Sequence, residues 1–528
     1  MESSSPQSPR EVNVTFSSFG PLQFLAVLLF VALADVTIYR GMGYAGYAAL
    51  FAAGPLLMAV AALRPRLRHV LPIAALAVLL SVRLAWWGSP LGVGLGFALL
   101  AAFAMSLSGL PPYVMEGIAF VAQTFGAGYV AIYRQWQRAN RVSPTISGTG
   151  SMAVVLPVLA FTAFGLLFVL ANPDLATALG EHFERFATAA REWLADFAPN
   201  VTEVLFCLAA FWIACGALRP LTANSLLEEK PPRSADSATS PVFSEPAPLY
   251  PAFRNTLLTV IALFAVYLVF EFQTLWFREF PTGFHYSGYA HEGAFWLTVA
   301  LALTTLWLSL VFRGQTLDDP RLPRLRRLAW IWSLENLLLA AAVYHRLLIY
   351  VGFNGMTRMR VVGFCGISAV VIGFLLVLWK ILARRDFVWL VRRQLWALFL
   401  FVYLYAVLPV DALVMRYNVQ RILDGDPAPG VQISVHPIDP DGLLQLVPLL
   451  ESDNEIVREG VRALLSEQHA ESRRRERKRD SEGWTAFQSA DRELGVRLEE
   501  LKPRLRFADR AQRDAAWKRF RDYAYQWY

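Results

Sequence analysis

Apolar runs of about eighteen residues recur along the first four hundred positions of this chain, and that recurrence decides the fold class before any motif is sought. A helix rising 1.5 Å per residue needs ~20 such residues to cross ~30 Å of hydrocarbon. It also satisfies its own backbone hydrogen bonds, as an isolated segment in lipid must. About eleven spans are expected: 21–39, 44–63, 70–87, 91–107, 153–170 and 201–218 in a first block, then 256–277, 294–312, 328–348, 361–382 and 395–413 in a second. Composition agrees, with 55% of the 528 residues apolar, 17% charged and a mean hydropathy of +0.39. Soluble domains carry about a quarter charged residues. An ordinary soluble enzyme is excluded, as is disorder over most of the length. Three cysteines exclude a disulfide scaffold.

The sequence therefore predicts an all-α, polytopic helical membrane protein with a small helical C-terminal extramembrane domain. A polar tail at 1–18 precedes the first block, 19–220; a Pro/Ser-rich linker at 221–255 separates it from the second block, 256–414; residues 415–528 form the helical tail domain. The first helix is expected to be retained, since its flank carries Glu2, Arg10 and Glu11 rather than a positive n-region. No repeat relates the two blocks: Gly54-Pro55 interrupts the second helix of the first block, and 294–312 contains neither residue.

Charge sets the expected topology. From Arg416 onward 20 Lys and Arg balance 20 Asp and Glu, so the whole formal excess of +7 lies among the spans. It is loop charge, and it removes the need for a nucleic-acid partner. The stretch 112–133 is long enough to cross but carries Glu116, Gln123, Gly126 and Gly128. If it lies along the surface or re-enters, the loops around Arg64–Arg68, Arg134–Arg141, Arg313–Arg327 and Arg384–Arg393 share one side. That arrangement predicts an inner-membrane protein with a cytoplasmic N-terminus and an outside tail, although Arg358 and Arg360 then face outward.

In the tail, 440–466 reads as two short amphipathic helices broken at Ser452-Asp453-Asn454, with Leu443, Leu446, Val447 and Leu450 facing Val457, Val461, Leu464 and Leu465. A lone unit of this kind resembles one HEAT repeat. The basic run 473–479 reads as a solvated helix face, with anionic lipid or polymer as the sharper alternative. Trp517, Phe520 and Trp527 are expected to pack on the tail domain.

Several ordered strings resemble one family. They are Tyr286-Ser287-Gly288-Tyr289-Ala290-His291-Glu292-Gly293, then Tyr350 with Gly355-Met356-Thr357-Arg358-Met359-Arg360, then Asp411-Ala412-Leu413-Val414-Met415-Arg416-Tyr417-Asn418. Asn172-Pro173-Asp174, Leu218-Arg219-Pro220-Leu221 and Gly483-Trp484 fit the same pattern. Together they are similar to a multi-pass bacterial membrane family catalogued as a domain of unknown function, of the forty-one-fifty-three and forty-one-seventy-three type. The resemblance implies the architecture and singles out Tyr286, Tyr289, Gly293, Tyr350, Gly355, Thr357, Arg360, Asp411 and Asn418; it implies no reaction, ligand or cofactor. Two acidic positions common in that family are Trp296 and Gly352 here.

Ionisable groups inside spans are costly, ~3 kcal/mol on insertion scales. Asp35, Arg83, Glu271, Glu335 and Asp411 qualify, most of them near span ends. Glu335, beside Asn336, shares a helical stripe with Arg346 eleven residues on, and with Asn354 these residues form a candidate intramembrane polar site. His285, His291 and Glu292 are zinc-ligand types on an expected outer loop, but their spacing matches no closed site. Gly92 and Gly96 make a small-residue helix contact rather than a phosphate loop. The cysteines read as small buried side chains.

No catalytic, cofactor-binding or metal residue is expected, and the implied partners are the lipid bilayer and membrane or envelope proteins. The reading is an envelope structural or interaction component. One alternative is a secondary transporter or channel-like protein using the Glu335 crevice. The other is a membrane-embedded transferase acting on a lipid-linked substrate, which needs clustered carboxylates at one membrane face, with Asp174, Glu279, Glu292 and Asp411 as the candidates.

Overall fold

The computed structural model describes residues 19–62, 67–142, 200–221, 250–276, 286–312, 319–383 and 385–528. These residues form seventeen α-helices and no strand. The first block comprises α1 (Pro21–Ala34, continued by a π-helical turn to Tyr39), α2 (Tyr44–Ala61), α3 (Leu67–Trp86), α4 (Pro90–Leu107), α5 (Val114–Val142) and α6 (Val201–Leu218). The second comprises α7 (Tyr250–Trp276), α8 (Tyr286–Val311), α9 (Leu322–Asn354), α10 (Arg358–Leu382) and α11 (Phe387–Val407). Every expected span has its helix except 153–170, which lies outside the described residues, as do the linker residues 222–249. Large apolar side chains such as Leu56, Val266, Val269 and Leu303 point outward from these helices, as a lipid solvent allows.

Two expectations are corrected. The last span does not run to Leu413. Pro409 has no N–H to continue α11, so the helix stops at Val407 and restarts as α12 (Val410–Leu423), which places Asp411 in a separate helix. The string from Tyr286 to Gly293 is not an outer loop. It forms the first two turns of α8, so His291 and Glu292 are helical, and His285 falls outside the described residues.

Small residues set the helix spacing in the first block. A Cβ on Gly96 would lie 2.0 Å from the Phe51 ring of α2, and one on Gly92 would lie 2.9 Å from Leu84 of α3, so this pair of glycines serves two different neighbours. Gly216 of α6 meets the Thr124 carbonyl of α5 in the same way, at 2.0 Å.

The contacts of α5 show how it lies. Near its start, Glu116 accepts a hydrogen bond from Arg392 Nε at 3.1 Å, two turns into α11, and Gly117 sits near Met105 at the end of α4. About 30 Å further along the helix, Gln135 accepts the Phe19 N–H at 3.0 Å and Arg138 donates to the Phe19 carbonyl at 3.2 Å, just before α1. Its middle crosses α6 near the C-terminal end, at Trp212 and Gly216. α5 is long and apolar enough to cross a bilayer, and its side chains Met115, Ile118, Val121 and Phe125 are uncovered.

The tail packs on one end of the bundle. It consists of α12, α13 (Gly430–Val435), α14 (Pro440–Leu443, continued as a 3-10 helix to Glu451), α15 (Glu455–Glu482), α16 (Ser489–Leu501) and α17 (Arg510–Ala524). Asn454 caps α15 by accepting the N–H groups of Ile456 and Val457. Leu443, Leu446 and Leu450 meet Val457, Val461 and Leu465 as the amphipathic pattern predicts, and α17 adds the fully buried Phe520. Trp517, Tyr523 and Trp527 pack on the same cluster.

Candidate functional site

Residues scattered through both blocks converge where the tail meets the helix ends. The centre is the string after α9. Gly355, at φ +93, reverses the chain, and a Cβ there would lie 2.5 Å from Asn418 Oδ1. Asn418 of α12 accepts the Met356 N–H at 2.7 Å and donates to the Met356 carbonyl at 2.9 Å, so one fully buried amide satisfies both backbone groups of the turn. Thr357 caps α10 by accepting the Arg360 N–H at 3.2 Å. The Arg360 guanidinium stacks 3.7 Å from the Tyr350 ring and donates to the Gly355 carbonyl and to Asn354. Asn354 in turn donates to the Trp527 carbonyl at 3.1 Å, and its own carbonyl accepts from Gln432 at 2.9 Å.

Beside this turn lies a charge cluster that no spacing in the sequence announced. Arg358 binds Asp411 through Nε and Nη2 and reaches Asp439 at 3.0 Å. Asp411 also accepts the Asp439 N–H at 2.7 Å. Asp441 completes the group: one oxygen from each of the three carboxylates lies within 4.8 Å of the others. From the membrane side, Arg83 at the end of α3 pairs with Asp441 at 3.2 Å. Asp441 is 3% exposed and its oxygens are closed off from solvent, so the Arg83 guanidinium supplies most of its compensation. Three carboxylates thus face two guanidiniums. The spacing would let a cation share the oxygens, but the arginines already supply most of the compensating charge.

Burial and the neighbouring Asp411 raise the carboxyl of Asp439 above its ordinary value of 3.8, against the opposing pull of Arg358. Burial likewise raises Asp441, against the pull of Arg83. A raised carboxyl holds its proton more tightly in the docked state than in a separated one. Docking therefore gains as pH falls through the raised values, down to 3.8, and weakens above them. Protease cleavage within 424–430 should consequently be slower near pH 4 than at pH 8. Asp439→Asn should flatten that dependence, and an unchanged pH profile in this variant would contradict the assignment.

The junction extends to the first block. The Met42 N–H donates to Thr485 Oγ1 at 3.0 Å, the Gly88 N–H donates to Gln488 Oε1 at 2.6 Å, and Gln488 donates to the Leu84 carbonyl at 3.0 Å. Gly43 lies under the backbone of Ala486, where a Cβ would come within 2.9 Å. The Gly483-Trp484 string, with Gly483 at φ +78, turns the chain into this contact. On the opposite end of the bundle Arg219 ties α6 to its neighbours, donating to Gln23 Oε1 at 3.0 Å and to the Ala61 carbonyl at 3.3 Å, with its guanidinium 4.0 Å from the Phe19 ring.

The candidate polar site is not one crevice. Arg346 forms a bidentate pair with Glu271 of α7, at 2.6 Å for each contact, and Tyr267 also donates to Glu271. Asn336 donates to the Trp332 carbonyl of its own helix at 2.7 Å, Glu335 is half-buried on the adjacent face, and Asn354 belongs to the tail junction. Tyr286, Tyr289 and Gly293 open α8, and their side chains fall outside the described residues, as do Asp174 and Glu279. The carboxylates gathered with Asp411 are Asp439 and Asp441, which the sequence did not single out.

A polytopic α-helical membrane protein with a docked helical tail is the class these features define. The family model described as Domain of unknown function (DUF4153) matches residues 70–447, and the chain belongs to that family. No curated protein and no solved structure matches it.

Proposed function

We propose that this protein is a structural or interaction component of the bacterial inner membrane, with its N-terminus and basic helix ends in the cytoplasm and its tail held as a fixed platform on the outer face. The observation that carries the reading is that the family-string side chains at the junction engage one another and the tail. Asn418 holds Met356, Arg360 holds the Gly355 turn, and Asp411 holds Arg358. Such mutual engagement suits a mount better than a reaction centre. Sidedness is supported by Arg134 and Arg138 on α5, Arg324 and Arg327 at the start of α9, and Arg385 before α11, all at the end away from the tail. The discordant Arg358 and Arg360 are engaged within the junction and do not form a free basic loop.

Reporter fusions at Ser240 and Tyr528 test the topology and should read opposite compartments, Ser240 inside; a shared compartment would remove the proposal. In the same cells, Glu335→Gln separates a platform from a transporter. A platform loses at most some stability, whereas loss of substrate-dependent uptake or of its pH dependence would favour transport.

A further inference from the structure

One face of α9 carries a carboxyl group that the chain itself does not complete. Ile331, Leu334, Leu338, Ala341, His345 and Leu348 form a seam along the membrane-spanning part of the helix, and the four isoleucine and leucine side chains in it are each half or more exposed. The spacing alternates three and four residues, the period of a left-handed pair of membrane helices. The opposite face, with Trp332, Asn336, Leu339 and Val343, is buried within the second block.

Lipid covers an apolar seam unaided, but it does not satisfy Glu335, which lies on the seam's edge about 20 Å along α9 from Leu322. Oε2 of this half-buried residue is enclosed without a hydrogen-bond donor, and Oε1, which is not enclosed, has no partner among the described residues. A carboxyl at such a depth is costly until a donor reaches it. Trp330 lies on the other edge of the seam, 48% exposed, and its indole N–H has no acceptor among the described residues.

The two positions match across a helix pair. With Ile331, Leu338 and His345 at the a positions of a heptad and Leu334, Ala341 and Leu348 at d, Trp330 falls at g and Glu335 at e. In parallel helices the g position of one faces the e position of the next heptad on the other. The Glu335 side chain, leaning toward the helix N-terminus, reaches back toward the level of a tryptophan at g. One helix face thus holds a donor and an acceptor on opposite edges, which it cannot join by itself and a second copy can. Two copies inserted in the same direction are necessarily parallel.

We propose that the protein forms a two-fold dimer through this face of α9, in which Trp330 donates to Glu335 of the partner subunit and the partner's Trp330 donates to Glu335. The self-complementary spacing selects a second copy over a different membrane protein. The inference is independent of the platform reading, because the pairing is the same whichever side the tail occupies. Glu335→Gln keeps an acceptor oxygen, so the transport test above leaves the dimer in place.

Energy transfer between full-length copies labelled at the C-terminus, reconstituted in liposomes and diluted with lipid, tests it. The wild-type signal should exceed that of random proximity and fall with dilution as a dimer–monomer equilibrium does. Trp330→Phe keeps a ring and removes the donor, and it should weaken association about tenfold, the scale of two interhelical hydrogen bonds. Glu335→Leu should do the same, and the double variant should be no weaker than either single one. Leu338→Ala in the seam should also weaken association, whereas Val266→Ala, at a 71% exposed position of α7, should leave it unchanged. A wild-type signal at the random level, losses that add in the double variant, or equal effects of Leu338→Ala and Val266→Ala would each overturn the proposal.

Discussion

Replacing Arg346 by leucine is expected to destabilise the membrane region by about 3–5 kcal/mol, the scale for removing one partner of a buried ion pair. The two partners sit on α9 and α7 and are 7% and 1% exposed, with both guanidinium contacts at 2.6 Å. Glu271 would keep the Tyr267 hydroxyl at 2.9 Å but lose the charge that offsets its desolvation. Because the loss arises from an uncompensated carboxylate rather than from the missing contact, adding Glu271→Gln should recover much of it. Size-exclusion profiles after graded heating in detergent would read the effect. If the double variant is as unstable as Arg346→Leu alone, the pair is not the cause and the packing of the arginine stem is.

That pair also shows where sequence reading stops. Glu271 was legible as a costly intramembrane charge and Arg346 as sharing a stripe with Glu335, but the 75 residues between Glu271 and Arg346 carry no period that would match them. Glu116 and Arg392 are 276 residues apart and were equally invisible as partners. Elements whose signal is local came through well. The spans follow from uninterrupted apolar length, and α15 starts at Glu455 because Asn454 is a capping residue placed before an apolar period. Asp439 and Asp441 could not be read in this way: they sit in a polar segment among many acids, and their meaning comes only from the fold of the tail onto Asp411 and Arg83.

The resemblance strings take on physical content at the same place. Tyr350, Gly355, Thr357, Arg360, Asp411, Asn418 and Gly483 come from distant positions yet belong to one junction, each with a role that chemistry assigns. Gly352, where an acid is common in the family, has open space at its Cβ, and its carbonyl accepts from Arg421 at 2.7 Å. That arginine also binds Asp426 and the Val351 carbonyl, so the local charge is met from the tail without an acid at that position.

Asp411→Ala should separate the tail from the bundle without unfolding either. Asp411, 4% exposed, accepts from Arg358 and from the Asp439 N–H, so its loss leaves a guanidinium and a backbone donor unsatisfied together. Arg358 is 38% exposed and partly screened, which places the cost nearer 2–3 kcal/mol than the value for a fully buried pair. The tail keeps its own core, in which Val457, Val461, Leu465, Leu494, Leu498 and Phe520 are all fully buried. Hydrogen exchange should therefore rise at the Met42 and Met356 amides, which the tail covers through Thr485 and Asn418, while α15 and α16 stay protected. A loss of roughly 2 kcal/mol corresponds to about thirtyfold faster exchange where opening is the limiting equilibrium. Exchange that rises equally through α15 would mean the variant unfolds the tail itself. Exchange unchanged at Met42 and Met356 would mean that Asp411 is not the latch, and the fixed-platform reading would lose its central contact.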